Sequence, residues 1–174
     1  MKKILLSFLL VVFVFMAHAQ DAKPTKEQTV NYIINSLKEY QVTKIINAGG
    51  DPNTTLYWDV KDISINDCVL LFKMSDVLKI PSAPRYGHIT ISDVKLNLKD
   101  IEEVEFSAND YSMGSVILRC SNEAKSISLK TNKDGVNTDE MVSSIAIPSP
   151  GKEKILQAFN YLRKLCGAPE PIKF

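Results

Sequence analysis

Residues 149–169 read SPGKEKILQAFNYLRKLCGAP and predict a single amphipathic helix. Apolar side chains recur there at helical spacing and form one stripe. The stripe consists of Ile155, Ala158, Phe159, Leu162, Leu165 and Cys166. Polar side chains, Arg163 and Lys164 among them, fall mostly outside this stripe. We expect the stripe to pack on the protein's own core, with a partner or a membrane surface as the alternative.

Both ends of this predicted helix carry the residues that typically begin and end helices. Ser149 is suited to the N-cap position, and Pro150 to the first helical position, where its missing N–H costs nothing. Gly167 is suited to the left-handed position that ends a helix, and Pro169 prevents the helix from continuing.

The amino terminus has the pattern of a secretory signal peptide. Two lysines precede an apolar run at 4–17, and Ala-His-Ala at 17–19 fits the small-x-small pattern before a cleavage site. The run is short for a membrane span, and polar sequence follows it. We therefore expect a signal peptide at 1–19, a single domain at 20–174 and a periplasmic or secreted protein with no transmembrane segment after cleavage.

The charge balance argues against nucleic acid as a partner. Cleavage removes Lys2 and Lys3 from 21 basic residues, against 20 acidic ones, which leaves a net charge near −1. Such a chain has no bulk attraction for nucleic acid or for an anionic membrane. We therefore expect a protein or small-molecule partner of unknown identity.

Three cysteines, Cys68, Cys120 and Cys166, lie in apolar surroundings. Their odd number leaves at least one thiol outside any intramolecular bridge. We expect small buried side chains with at most one disulfide, and the sequence leaves open whether any pair is bridged. No pair has the spacing of metal ligands, so no metal site is predicted.

A first helix is predicted from Thr25 to about Tyr40. Thr25 and Gln28 have the spacing of a capping box. The apolar face of this helix consists of Val30, Ile33, Ile34 and Leu37.

Between the two helices the apolar period changes to two, which is typical of β-strands. Extended segments are predicted at 42–46, 54–65, 68–74, 88–105, 115–120, 125–131 and 141–147. Asn66-Asp67 predicts one tight hairpin, and 121–124 predicts a second hairpin between the segments on either side of it. We expect a loop at 75–87, turns at 48–53 and 133–135, and a corner at 99–104.

The order of these elements resembles the pleckstrin-homology-like superfold. The resemblance is carried by the strand pairs, by the corner LNLKDIEEVEF at 96–106 and by the closing helix ILQAFNYLRKLCG. It implies an α+β fold in which a bent antiparallel sheet or partly open barrel of about seven strands is closed by a C-terminal helix, with an extra N-terminal helix. The Gln20 junction and the AFNYLRKLCG ending are similar to exported proteins of the Bacteroidetes type, most of unknown function. The first hairpin lacks the basic cluster with which classical members bind phosphoinositides, so that activity is not expected.

Few residues predict chemistry. His88 is the single histidine after cleavage, and no nucleophile motif accompanies it. The acidic residues at 100–105 predict a solvated corner, and the oxygen-bearing side chains at 134–139 predict a loop because the full calcium pattern is missing. We therefore predict no catalytic, cofactor-binding or metal-binding residues. The loop at 81–88 combines aromatic, cationic and polar groups, and Arg85, Tyr86 and His88 are its candidate binding residues.

These observations favour an exported, non-enzymatic binding or interaction domain. The alternatives are a small carrier that binds an apolar ligand in the barrel interior and, third, a hydrolase. A cavity inside the core would favour the carrier, and acidic groups or His88 converging in a cleft would favour the enzyme.

Overall fold

The structure is an α+β fold of antiparallel strands and two helices, as the sequence predicts. The computed structural model describes residues 23–38, 40–48, 51–84, 87–108, 114–121, 124–149, 151 and 153–170. The predicted signal peptide lies outside them. The elements are α1 (Lys26–Lys38), β1 (Gln41–Ala48), β2 (Asp51–Asn66), β3 (Val69–Lys79), β4 (His88–Asn97), a 3-10 turn (Leu98–Asp100), β5 (Ile101–Ala108), β6 (Gly114–Cys120), β7 (Ile127–Lys133), β8 (Val136–Val142), β9 (Ser144–Pro148) and α2 (Glu153–Leu165). Neither described helix is long and apolar enough to cross a membrane.

The nine described strands, two more than expected, form two antiparallel sheets. The larger sheet has the order β1-β2-β3-β4-β7-β8, and the smaller has the order β5-β6-β9. The chain passes from the first sheet to the second at the predicted corner. There the side chain of Asn97 accepts a hydrogen bond from the Lys99 amide at 3.1 Å and so begins the 3-10 turn.

The predicted hairpin across 121–124 is wrong. β6 is the central strand of the smaller sheet, where Leu118 lies opposite Val104 of β5 and Ile145 of β9. β7 instead joins the larger sheet between β4 and β8. The inward positions of β6 are nevertheless as predicted, since Val116, Leu118 and Cys120 are buried. Alternation identifies which face of a strand is buried but not which strand lies beside it.

Several strand boundaries also differ from the prediction, and β2 begins at Asp51, within the predicted turn at 48–53. β3 extends into the predicted loop at 75–87 and ends at Lys79. Near its end, Leu78 pairs with His88 of β4. The predicted strand at 141–147 is divided at Ser143, whose carbonyl accepts a hydrogen bond from the Cys120 amide at 2.8 Å. The part before Ser143 belongs to β8, and the part after it is β9.

One hydrophobic core fills the space between the two sheets and the two helices. α1 packs on α2 and β2, while α2 packs on β5 and the 3-10 turn. The largest fully buried apolar side chains are Ile33, Leu37, Leu70, Leu96, Leu98, Ile101, Leu118, Ile127, Ile147, Phe159 and Leu162. The apolar faces of both helices therefore pack inside the protein, as expected.

The capping box of α1 is present as predicted. The Gln28 amide donates to Thr25 Oγ1 at 3.1 Å, and the Thr25 amide donates to Gln28 Oε1 at 2.9 Å. The helix ends at Lys38, two residues before the predicted end.

The start of α2 is not where the sequence predicts it. Ser149 is buried and its amide donates to the Gly114 carbonyl at 3.0 Å, so it continues the β9 side of the smaller sheet instead of capping the helix. Pro150 lies outside the described residues. The predicted end is correct: Gly167 has φ +82°, and the Ala168 amide donates to the Arg163 carbonyl at 3.0 Å, as in a Schellman motif.

Two side chains of α2 are placed differently from the prediction. Leu165 is 45% exposed, whereas Arg163 is only 1% exposed. Arg163 Nη1 donates to the Ile101 carbonyl at 3.0 Å and to the Pro169 carbonyl at 2.6 Å. Burial lowers the pKa of the Arg163 guanidinium. These hydrogen bonds compensate for the water that the buried group has lost. Arg163 therefore joins α2 to the start of β5 and to the chain that follows the helix.

A disulfide between Cys68 and Cys166 joins the β2–β3 turn to the end of α2. Its two residues are 98 positions apart in sequence, while Cys120 is a buried free thiol. The Cys68 carbonyl also accepts a hydrogen bond from the Leu98 amide at 2.8 Å. The turn at Cys68 is thus attached both to the last helix and to the corner between the sheets.

Replacing both Cys68 and Cys166 with serine should lower the free energy of unfolding by about 4–5 kcal/mol, because a loop of roughly 100 residues is no longer closed in the unfolded chain. Denaturant titration measures this loss. Reducing agent should destabilise the wild type and leave the double variant unchanged; equal stability of wild type and variant would contradict a structural role.

Phe159→Ala should cost about 3–5 kcal/mol, because it leaves a cavity in the core. Leu165→Ala, six residues along the same helix, is the matched control and should change stability by less than about 0.5 kcal/mol because its side chain is largely exposed. Equal losses in the two variants, measured by denaturant titration, would show that the helix is oriented differently.

Candidate functional site

The predicted binding loop forms one wall of an open surface pocket of about 470 Å³. We call it the rim pocket, because it lies where β3 ends and β4 begins. Its lining consists of Leu78, Lys79, Ile80, Pro81, Pro84, Gly87, His88, Ile89 and Asp134. Its volume is within the range typical of small-molecule sites.

Of the three predicted binding residues, the structure places only His88, because Arg85 and Tyr86 lie outside the described residues. His88 is the first residue of β4 and lies opposite Leu78 of β3. Its Nε2 is 3.9 Å from Asp76 Oδ2, which is too long for a hydrogen bond. Asp76 therefore provides a nearby negative charge but does not fix the imidazole.

The loop wall of the rim pocket is held against β3 by backbone contacts. The Ala83 amide donates to the Ile80 carbonyl and the Gly87 amide to the Pro84 carbonyl, each at 3.1 Å. A Cβ at Gly87 would lie 2.8 Å from the Leu78 carbonyl oxygen, so this close approach requires glycine. Because Pro81 and Pro84 also restrict the backbone, the described part of this wall is preorganised for a ligand.

The opposite wall is the turn between β7 and β8. Asp134 and Gly135 both have positive φ, at +50° and +86°, as the predicted turn requires. The Asp134 carboxylate accepts a hydrogen bond from the Ile89 amide at 2.9 Å, and the Asp134 amide donates to the Ile89 carbonyl at 3.0 Å. The segment after it is strand β8 and not the expected loop, and Asp139 pairs with Lys130 at 3.4 Å. Asp134 and Asp139 are therefore engaged separately.

An exposed apolar strip extends from the rim pocket across the outer face of the larger sheet, the face directed away from the core. Tyr57, Val77 and Ile89 lie opposite one another on β2, β3 and β4 and point to this face. Ile91 follows two residues later on β4. Ile89 and Ile91 are 50% and 46% exposed. We call these four residues the outer strip.

Two smaller pockets flank the outer strip. One, of about 250 Å³, is lined by Thr43, Thr55, Tyr57, Val77 and Lys79. The other, of about 370 Å³, includes Ile91, Asn132 and Asn137. Since each shares residues with the strip, the three pockets and the strip make one continuous surface.

The sequence contains a signal for this strip in the spacing of its apolar residues. Ile89 and Ile91 occupy odd positions, while Val94 and Leu96 occupy even ones, so the apolar alternation changes phase within β4. In an uninterrupted strand such a change sends the two pairs to opposite faces. The pattern therefore indicates an exposed apolar pair at the start of β4.

A buried carboxylate anchors the side of the strip formed by β2. Asp59 is fully buried and its Oδ2 accepts hydrogen bonds from the Tyr57 hydroxyl at 2.5 Å and from Lys61 Nζ at 2.9 Å. Burial raises the pKa of Asp59, but the hydrogen bonds from Tyr57, Lys61 and Ser75 outweigh it and hold this pKa below its usual value. The hydrogen bond between Tyr57 and Asp59 raises the pKa of the Tyr57 hydroxyl. Tyr57 is therefore a neutral, oriented phenol at neutral pH.

The acidic corner predicted to be solvated contains a surface ion pair. Arg119 of β6 contacts Glu105 of β5 through Nε and Nη2, both at 3.2 Å, and Glu103 at 3.7 Å. Burial and the charge of Glu105 raise the pKa of Glu103. These side chains are about half exposed and lie in none of the pockets described above. Within the described residues, no group of three or more His, Cys, Asp or Glu side chains is placed to bind a metal ion.

A further groove of about 420 Å³ lies between α1 and α2. It is lined by Pro24, Gln28, Thr29, Tyr32, Lys154, Gln157, Ala158 and Tyr161. The apolar spacing of the two helices does not indicate this groove, because it marks only the faces that these helices turn toward the core.

No known protein family, curated protein or solved structure matches this chain. Its function must therefore be inferred from the geometry of these surfaces.

Lowering the pH should reduce the stabilising effect of Asp59. The pKa of Asp59 is lower in the folded protein than in the unfolded chain, where it is about 3.9. The ionised carboxylate therefore stabilises the fold fully above the pKa of the unfolded chain, and this contribution is lost as the pH falls through the lower pKa of the folded protein. The difference in unfolding free energy between wild type and Asp59→Asn should therefore narrow from about pH 5 to about pH 2. A difference that stays constant over this range would contradict this role.

Proposed function

We propose that this protein is a non-enzymatic binding module whose ligand occupies the rim pocket and extends over the outer strip. The observation that carries the proposal is the continuity of an open, preformed apolar pocket with exposed Ile89 and Ile91. Single exposed apolar side chains are ordinary, whereas contiguous ones beside a concave surface are typical of binding sites.

The charge on this surface favours an amphipathic ligand with an anionic group. Lys61, Lys73 and Lys130 on the outer face each pair with a carboxylate, at 2.9, 2.9 and 3.4 Å. Lys79, which lines both the rim pocket and the pocket beside Tyr57, forms none of the ion pairs found in the described part of the chain. Its ammonium group is therefore available to a ligand anion, while the apolar lining contacts the ligand body.

The alternatives receive less support from the geometry. A carrier would hold its ligand inside the core, but the space between the sheets and helices is packed with large side chains such as Phe72, Leu118 and Phe159. A hydrolase would use His88 with Asp76, but their separation of 3.9 Å is too long for the imidazole to donate a hydrogen bond to this carboxylate.

Export and a pleckstrin-homology-like shape remain part of the proposal. The Cys68–Cys166 disulfide supports an oxidising compartment, because such bonds persist mainly in exported proteins. The lysine-led apolar amino terminus supports the same location. Two antiparallel sheets followed by a C-terminal helix support the proposed shape.

The test is an NMR titration of the 15N-labelled protein with decanoate, decanol and decyltrimethylammonium, all below their aggregation concentrations. We expect amide shifts at Leu78, Gly87, Ile89 and Asp134, and tighter binding of decanoate than of the other two probes. Lys79→Gln should weaken decanoate binding about two- to five-fold and leave decanol binding unchanged, on the scale of an exposed ion pair.

Lys95→Gln is the matched control, because Lys95 is also exposed and also outside the ion pairs found, but lies on β4 away from the rim pocket. It should bind decanoate as the wild type does. Shifts concentrated at Leu70, Leu96 and Phe159 would instead indicate a carrier. Hydrolysis of p-nitrophenyl esters that disappears in His88→Ala would indicate an enzyme, and the absence of any shift would refute a ligand site at the rim.

A further inference from the structure

We propose that Cys166 is a site of reversible S-thiolation. An external thiolate attacks Cys166 Sγ, and Cys68 leaves as a thiolate stabilised by Lys26. This site is separate from the rim pocket and does not depend on its function.

The two sulfurs of the disulfide have unequal electrostatic environments. Lys26 Nζ lies 3.2 Å from Cys68 Sγ. A nearby cation lowers the pKa of a thiol, and the thiol of lower pKa leaves faster in thiol–disulfide exchange. Asp67, next to Cys68, has the opposite charge, and both Asp67 and Lys26 are exposed, but Lys26 is the one that contacts the sulfur. Cys68 is therefore the favoured leaving group.

Within the part of the chain that the structure describes, no basic side chain contacts Cys166 Sγ as Lys26 contacts Cys68 Sγ. It directly follows the last residue of α2, where the helix dipole is negative and disfavours a thiolate. Lys164 pairs with Glu170 at 3.0 Å, and Arg163 directs Nε to Asn160 Oδ1 at 3.1 Å and Nη1 to two carbonyls. The nearest basic residues of the helix are thus engaged elsewhere, which reinforces the difference between the two sulfurs.

There is space for an attacking thiolate beside Cys166. Both cysteines are partly exposed, so a small thiolate can approach the disulfide from solvent. The Cys68 side is occupied by Lys26.

The exchange is balanced without an external oxidant. The attacking sulfur forms a bond to Cys166 Sγ, the Sγ–Sγ bond breaks, and its electron pair stays on Cys68 as a thiolate. The co-reactant is a small thiol or a protein dithiol. In the return step the Cys68 thiolate attacks Cys166 Sγ of the mixed disulfide, the original bond forms again, and the external thiolate leaves. Opening removes the covalent link between the β2–β3 turn and α2, while the Cys68 carbonyl keeps its hydrogen bond from the Leu98 amide.

The experiment treats the oxidised protein with reduced glutathione for short times, alkylates free thiols with iodoacetamide and locates both adducts by peptide mass spectrometry. We expect glutathione on Cys166 and the alkyl group on Cys68. Lys26→Gln should slow opening roughly two- to five-fold, Lys26→Arg should restore the rate, and Lys164→Gln should match the wild type.

Thermal unfolding of these lysine variants checks that each has the wild-type fold. Glutathione mainly on Cys68, or equally on both cysteines, would overturn the proposal. So would an unchanged rate in Lys26→Gln, or no adduct on the folded protein under conditions in which the urea-unfolded chain reacts fully.

Discussion

The Cys68–Cys166 disulfide ties the end of the last helix to the larger sheet, at the turn between β2 and β3. α2 is otherwise connected to the fold through β9 and through packing of its apolar face. The disulfide fixes its far end to the β2–β3 turn, and the Cys68 carbonyl binds the Leu98 amide at the corner between the sheets. Arg163 adds polar contacts from the same helix end to Ile101. One corner of the molecule thus unites a hairpin turn, the crossover to the second sheet and the end of the chain's last helix.

The core lies toward this corner, and the proposed binding surface lies at the other end of the larger sheet. In β3, Leu70 and Phe72 are buried, whereas the residues from Met74 onward are only partly buried or exposed. β4 runs in the opposite direction and shows the mirror pattern, with buried Val94 and Leu96 near its end. Both strands therefore extend beyond the part of the sheet that the core covers. The extension adds little to core burial, but it carries the rim pocket and most of the outer strip.

Local patterns in the sequence predict the helices and turns of this fold well. The capping box at Thr25 and the left-handed Gly167 depend on neighbouring residues, so their geometry is encoded within a few positions. The partners of β6 and β7 depend on distant segments, which alternation does not specify. The burial of Arg163 likewise depends on the Ile101 carbonyl, 62 residues away, and the pairing of Cys68 with Cys166 spans 98 residues.

For the candidate site, the sequence located the loop at 81–88 but not the opposite wall at Asp134, which folding brings beside Ile89.

The phase change within β4 links the sequence to function more directly than any motif does. β-branched residues favour strands even when exposed, so Ile89 and Ile91 alone would require no explanation. Their position matters because Val77 of β3 lies opposite Ile89 and shares its outward face. Two neighbouring strands thus turn apolar side chains to the outer face at the same level of the sheet, beside Tyr57 and a lysine without an ion pair in the described residues. In β4, side chains that served only the core would continue the inward phase, and the change of phase instead places Ile89 and Ile91 on the surface that is proposed to bind a ligand.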